Sequence, residues 1–133
     1  MSNSEPTLDQ RRAQHAWNAV QRAKKLASSK KFGGQAKKLP TRIMAAGLGQ
    51  ALAFLLGKKY SPELLEEIGD WVLDKRASLG STRPRPKDDA LIQTIIGGDS
   101  DFLRRATDET LAYLQWLNRF AEAEGLTDEQ NGD

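Results

Sequence analysis

Lys24, Lys25, Lys30, Lys31, Lys37, Lys38 and Arg42 crowd around Gly33-Gly34, with Arg11 and Arg22 upstream. Cations gathered in this way suit phosphates, because Lys and Arg displace condensed counterions whatever the bases are. Lysine-rich segments are also often merely solvated, and the residues alone leave both readings open. Two carboxylate pairs, Asp88-Asp89 and Asp99 with Asp101, have the composition of a magnesium or acid–base site. Both pairs fall where helices begin, and acids there cap the helix or favour its dipole, which is the stronger explanation. His15 is the single histidine and there is no cysteine. Thiolate sites, disulfides and multi-histidine metal sites are therefore excluded, and a serine–histidine triad has little support. His15 is expected at the surface, beside the basic residues. GGQAK lacks the spacing and the Lys-Ser/Thr ending of a phosphate-binding loop. No nucleophile, base and oxyanion donor come together, so the sequence predicts neither an enzyme nor a cofactor.

The elements that must position these residues read as helices throughout. A first helix from Thr7 or Leu8 to Ser28 places Ala16, Ala19, Val20, Ala23, Leu26 and Ala27 on one face. Arg11, His15, Asn18, Arg22 and Lys25 form a polar stripe on another. SSKKFGGQ is expected to break the pattern, with Gly33 and Gly34 in a sharp turn. KKLPTRIMAAGLGQALAFLLGKK (37–59) then reads as one apolar helix with Pro40 in its first turn. If the turn folds these helices together, their cations converge at one end of the bundle, where the N–H groups opening the second helix also suit an anion. Within the apolar helix, Gly47 and Gly49 are expected to mark close approach of a neighbour, and Gln50 to be a buried amide.

Ser61-Pro62-Glu63 starts a third helix, with Ser61 as N-cap and Pro62 at the first position. Leu64, Leu65, Ile68, Val72 and Leu73, with Trp71 nearby, give it an apolar side ending near Gly80. Residues 81–87 hold two prolines and read as an extended connector. A short helix from Asp88 to Ile96 stops at Gly97-Gly98. The last helix, about Asp101 to Glu124, repeats Leu103, Ala106, Thr110, Tyr113, Leu114, Leu117 and Ala121 at three or four, with Gly125 ending it. Arg104 with Asp108, and Arg105 with Glu109, are spaced to pair along its surface. The product is all-α: a compact single-domain bundle of five or six helices around a central apolar helix. Its core covers about 7–125, with flexible tails at 1–6 and 126–133.

The 133-residue length suits one domain, and 29% charged with 38% hydrophobic residues is an ordinary globular balance. A net charge of +2 hides a strong polarity. Residues 1–60 hold twelve Lys/Arg against Glu5 and Asp9, a net +10, and residues 61–133 hold eight against sixteen Asp/Glu, a net −8. Either the basic half meets an anionic partner or the halves pack together and neutralise each other. The polar N-terminus has no apolar signal region, so a reducing, cytoplasmic setting is expected. A membrane span over 39–57 is disfavoured by Arg42, Gln50 and three glycines, because an arginine at the bilayer centre costs about 2.5–3.5 kcal/mol.

Two blocks, KKLPTRIMAAGLGQALAFLLGKK (37–59) and LRRATDETLAYLQWLNRFAEAEG (103–125), resemble the small helical subunit of the Cmr complex. RRAQHAWNAV near the start joins the resemblance. That complex is the type III-B CRISPR RNA-guided effector of antiviral defence. The resemblance implies an all-α protein without catalytic activity of its own. Such subunits stack along the inner face of the complex beside a filament of larger backbone subunits, which cut the target. They help to hold the guide RNA–target RNA duplex, with sequence recognition delegated to the guide and phosphate contacts sufficing for the protein. Guide RNA, target RNA, backbone and other subunits, and neighbouring copies of the chain are the implied partners, with no membrane. The RNA-binding residues expected on this route are Arg11, Arg22, Lys24, Lys25, Lys37, Lys38 and Arg42. The acidic second half would meet a basic region of the next copy, giving an open array. The alternative is a purely architectural protein–protein module of the same kind of complex, without direct RNA contact. A DNA-binding regulator lacks support, since no helix-turn-helix with a base-reading second helix is evident.

Overall fold

The computed structural model describes residues 5–78 and 80–127. Six α-helices run in the order α1 (Leu8–Ala23), α2 (Ser29–Ala46), α3 (Leu48–Lys58), α4 (Pro62–Asp70), α5 (Ala90–Gly97) and α6 (Ser100–Ala123), with no strand among the described residues. Residues 81–87 lie in no helix. The looseness expected of residues 1–4 and 128–133 falls outside the described residues. Among the described residues no helix is long and apolar enough to cross a membrane.

Local chemistry sets several boundaries. α1 opens with a capping box: the Gln10 N–H donates to Thr7 Oγ1 (3.0 Å) and the Thr7 N–H donates to Gln10 Oε1 (2.8 Å). Ser61 caps α4, with Pro62 in the first turn, and Asp99 accepts from the Phe102 N–H (2.8 Å) to cap α6. α1 ends at Ala23, short of the expected Ser28. Beyond it the Lys25 and Leu26 amides bond only three residues back, and Leu26 turns toward the core. α4 runs straight into one π-helical turn, Trp71–Lys75, where the Arg76 N–H reaches the Trp71 carbonyl five residues back (2.9 Å). Trp71 and Asp74 are both buried there.

The bundle is organised by α6. Its buried face, Ala106, Thr110, Tyr113, Leu114, Leu117 and Ala121, packs with α1 and α2 in one core. Ala16, Ala19 and Ala23 give α1 a shallow surface for that contact. α3 and α4 close the core with Leu48, Leu52, Leu55, Leu64 and Ile68.

The expected turn at Gly33-Gly34 does not exist. α2 passes through both glycines and buries Phe32, Gly33, Gly34, Gln35 and Ala36 in succession. The reason lies at the far end of the chain. α6 closes with a Schellman motif: the Leu126 N–H bonds to the Ala121 carbonyl (2.9 Å), the Gly125 N–H to Glu122 (3.0 Å), and Gly125 has φ +76°. That motif directs Leu126 onto α2, where a Cβ on Gly33 would fall 2.2 Å from the Leu126 carbonyl oxygen. Gly33 is thus a packing glycine rather than a hinge.

The segment 37–59 is not one helix either. α2 carries Pro40 in its interior, and the break comes at Gly47, with φ +92° and ψ 159°. Only glycine adopts that conformation readily, and nothing lies within 4 Å of where its Cβ would be. Gly47 therefore supplies backbone freedom, not the close approach expected of it, and Gly49 meets only Ile95 at ordinary contact distance. Gln50 is exposed, not buried. Pro40 has no N–H to give the Ala36 carbonyl four residues back. Asn118 of α6 supplies the missing donor, its Nδ2 lying 3.0 Å from that oxygen. Along α6, Arg104 and Arg105 both pair with Asp101 rather than with Asp108 and Glu109.

Two stability experiments follow from these contacts. Asn118→Ala removes the donor to Ala36 and is expected to cost about 1–2 kcal/mol by urea unfolding. Pro40→Ala restores an N–H, so the same change should cost less in that background; strict additivity would show that the bond contributes nothing. Gly33→Ala should destabilise by about 1–3 kcal/mol through overpacking, despite alanine's better helix propensity. Gly57→Ala, in open space on α3, should instead gain up to about 1 kcal/mol.

Candidate nucleic-acid interface

The basic residues fall into two groups with different surroundings. On α1, Arg11, His15, Asn18 and Arg22 step along one face at intervals of four, three and four. Glu63, Glu67, Asp70 and Asp74 of α4 and its π turn repeat the same intervals. The stripes meet. Arg22 forks onto Glu67 (2.9 and 2.8 Å), which also takes Arg85 from the connector (2.7 Å). Lys75 bridges Asp70 and Asp74 (3.0 and 3.2 Å). Arg12, on the neighbouring face of α1, forks onto Glu109 of α6 (2.6 and 2.9 Å). Glu109 also accepts from Trp71 Nε1 (2.8 Å) and Arg76 Nε (3.0 Å).

His15 lies inside this network, not at the surface as expected. Its Nδ1 is 2.6 Å from the Tyr113 hydroxyl and its Nε2 is 2.8 Å from Asp70 Oδ2. Burial holds the Tyr113 phenol well above its ordinary value, so the hydroxyl keeps its proton and donates to Nδ1. Nε2–H then donates to Asp70, giving a neutral imidazole. Burial pushes His15 below 6.5, with the Asp70 bond opposing. Burial works against ionising Glu67, Asp70 and Glu109, but Arg22 and Arg85, His15 and Lys75, and Arg12, Trp71 and Arg76 respectively hold them below ordinary carboxyl values. Beside the network lies a cleft of about 550 Å³ whose lining includes Arg11, His15, Arg22, Asp70, Lys75 and Arg85.

α2 and α3 differ in the partners of their cations: Lys31, Arg42 and Lys58 stand against neutral groups, within a stretch from Gln10 to Pro62 that holds no carboxylate. Lys30, Lys31 and Lys37 are exposed on α2, and Lys38 and Arg42 are half-buried. Arg42 Nη1 donates to Gln35 Oε1 (2.6 Å), and its guanidinium lies over the Phe54 ring, 4.6 Å from the centroid. Lys31 stands 4.9 Å from the Tyr60 centroid, and Lys58 5.6 Å from that of Phe54.

The seven expected RNA-binding residues are divided between these environments. Arg11 Nη2 donates to the Arg76 carbonyl (3.0 Å), and Arg11 and Arg22 border the same cleft. Arg22 is committed to Glu67 with half its side chain exposed, and Lys24 pairs with Glu124 (3.1 Å). Lys25 and Lys37 are exposed without a side-chain partner among the described residues. Lys37, Lys38 and Arg42 lie along α2, and no Gly-Gly turn gathers them against α1. Sequence reasoning missed Arg12, Glu67, Asp70, Arg85 and Glu109, as well as the aromatic partners Phe54 and Tyr60. The matched stripe intervals on α1 and α4 were the available signal for the ion pairs. No group of three or more His, Asp or Glu side chains among the described residues is placed to hold a metal ion.

The described residues form a small all-α domain of six helices without a strand, in which ion pairs tie α1 to α4 and α6 while α2 carries basic residues and no acid. Residues 8–124 match the family of CRISPR-associated proteins Cas_Cmr5. The chain belongs to this Cmr5 family, that of the small subunit of the type III-B Cmr CRISPR complex. It is 33% identical over 113 residues to the CRISPR system Cmr subunit Cmr5 of Thermus thermophilus, spanning 84% of this chain and 90% of that protein. The crystal structure of a CRISPR-associated Cmr5 family protein from Thermus thermophilus superposes with a TM-score of 0.72 at 29% identity, covering 89% of this chain and 97% of that one.

The buried neutral histidine fixes a direction of pH dependence. Its folded value is depressed, so its contribution to stability is complete above 6.5 and is lost as pH falls through the folded value. The three carboxylates act with the same sign, below their ordinary values of 4.5 and 3.8. The urea midpoint should therefore fall between about pH 7.5 and 5.5, before the carboxylates titrate. His15→Gln should lower the midpoint at the upper pH and flatten its dependence over that range. An equally steep dependence in the variant would assign it to another group.

Proposed function

We propose that this chain is a non-catalytic RNA-binding and assembly subunit of a type III-B CRISPR interference complex, helping to hold the guide RNA–target RNA duplex by phosphate contacts. Its partners on this reading are guide and target RNA, the backbone and other subunits, and neighbouring copies of itself. The observation that carries the reading is the acid-free stretch that supplies α2 with Lys30, Lys31, Lys37, Lys38 and Arg42. A guide supplies sequence recognition, so the protein needs only backbone contacts, for which lysine and arginine suffice. Lys25, Lys37, Lys38 and Arg42 act here as the principal phosphate contacts. Arg11, Arg22 and Lys24 add charge while remaining tied to Arg76, Glu67 and Glu124.

A purely architectural role without RNA contact is the second reading. It is favoured by one observation: Arg12, Arg22 and Lys24 of the basic first half are neutralised by Glu109, Glu67 and Glu124 of the acidic half.

The two readings separate in a filter-binding titration at two salt concentrations. Lys37→Ala with Lys38→Ala should weaken binding to RNA of any sequence and lower the salt slope by roughly one per lost phosphate contact. Unchanged affinity and slope would remove these lysines from the interface. A protein that ignores RNA at moderate salt yet co-purifies with neighbouring subunits would be architectural.

A further inference from the structure

Arg42 is held differently from most of the other arginines. Arg12, Arg22, Arg76, Arg85, Arg104 and Arg105 each have a carboxylate partner. Arg42 has two neutral ones, the buried Gln35 amide oxygen and the Phe54 ring, and no carboxylate among the described residues. Neutral partners fix the position of a guanidinium without cancelling its charge. The planar group can stack on a ring with one face, carry a second flat π-system on the other, and still donate from its edge. Phe54 itself is 40% exposed, and Tyr60 meets it edge-on at 6.2 Å. Lys31 and Lys58 flank the two rings.

Flat π surfaces alternating with cations are what unpaired nucleotides recognise. Bases stack on aromatic rings and on guanidinium planes, while phosphates follow the cations. A fully paired duplex keeps its bases stacked on each other, so it would use the charges and gain nothing from Phe54. We infer that the Arg42–Phe54–Tyr60 surface between α2 and α3 is a stacking site for an unpaired nucleobase of single-stranded RNA, with Lys31 and Lys58 on the adjoining phosphates. This deepens the RNA-binding reading above and rests on it.

The test uses the full chain, a short oligouridylate, the same oligouridylate with one 2-aminopurine, and a blunt RNA duplex of equal length, all at one salt concentration. Phe54→Leu should weaken single-strand binding about tenfold, the scale of one lost base–aromatic stack, and leave duplex binding unchanged. Arg42→Lys retains the charge and should weaken single-strand binding more than duplex binding. 2-Aminopurine emission should be quenched by the wild-type protein and not by Phe54→Leu. Circular dichroism checks that each variant is folded, and Arg42→Lys decides if Phe54→Leu is not. Both variants binding single strand as wild type does, or losing single strand and duplex equally, overturns the stacking site while the phosphate reading stands. Wild-type RNA affinity with lost co-purification of other subunits would assign the patch to a protein and likewise overturn it. A wild-type protein that binds neither RNA removes the RNA reading, and the stacking site with it.

Discussion

One buried carboxylate ties α1, α6 and the π turn together. Glu109 of α6 accepts hydrogen bonds from Arg12 of α1, from the Trp71 indole and from Arg76 just past the π turn. A glutamate so enclosed is tolerable only when its oxygens are fully engaged, because desolvating a lone charge costs several kcal/mol. The requirement is mutual. Trp71 needs an acceptor for its buried N–H, and the π turn places Trp71 where it can find one. Removing either partner would leave a charge or a donor stranded in the core. The interaction therefore fixes the relative positions of three elements more strictly than apolar packing alone, which tolerates sliding.

That arrangement divides the basic half of the chain by surroundings. On α1, Arg12 and Arg22 face acids of α6 and α4 and are used internally. On α2 and α3, three cations, Lys31, Arg42 and Lys58, stand over aromatic rings instead. The sequence-level alternatives, neutralisation between halves or attraction of an outside anion, are thus not exclusive. Neutralisation is seen on α1, and the RNA-binding proposal draws on the cations of α2.

What could be read from sequence depended on how far away the deciding partner lay. The starts of α4 and α6 were legible because Ser61-Pro62 and Asp99 act on their own helices within three residues. The alternation along α6 was legible for the same reason, since one face of a long helix repeats locally. Gly33-Gly34 and Pro40 were misread because each is normally a breaker. Here Leu126 and Asn118, both remote in sequence, make helix the better solution. Gly47 shows the converse: its glycine neighbours suggested packing, while the backbone uses it as a break. His15 belongs to the same class, since its burial is decided by Asp70 and Tyr113. For the candidate interface, the cations could be listed from sequence, but their division between internal pairs and open surface could not.

The donor that Asn118 lends to the Ala36 carbonyl has a consequence for the order in which the molecule becomes complete. α2 cannot close its own hydrogen-bond ladder at Pro40, and its surface at Gly33 is shaped to receive Leu126. Both complements lie in the last helix and the turn beyond it. A ribosome releases them after α2. A nascent chain that already exposes every lysine of α2 still lacks the residues that finish the helix bearing them. The basic surface is thus tied to the synthesis of α6 and the turn beyond it, and fragments ending before α6 would display the charge without the shape.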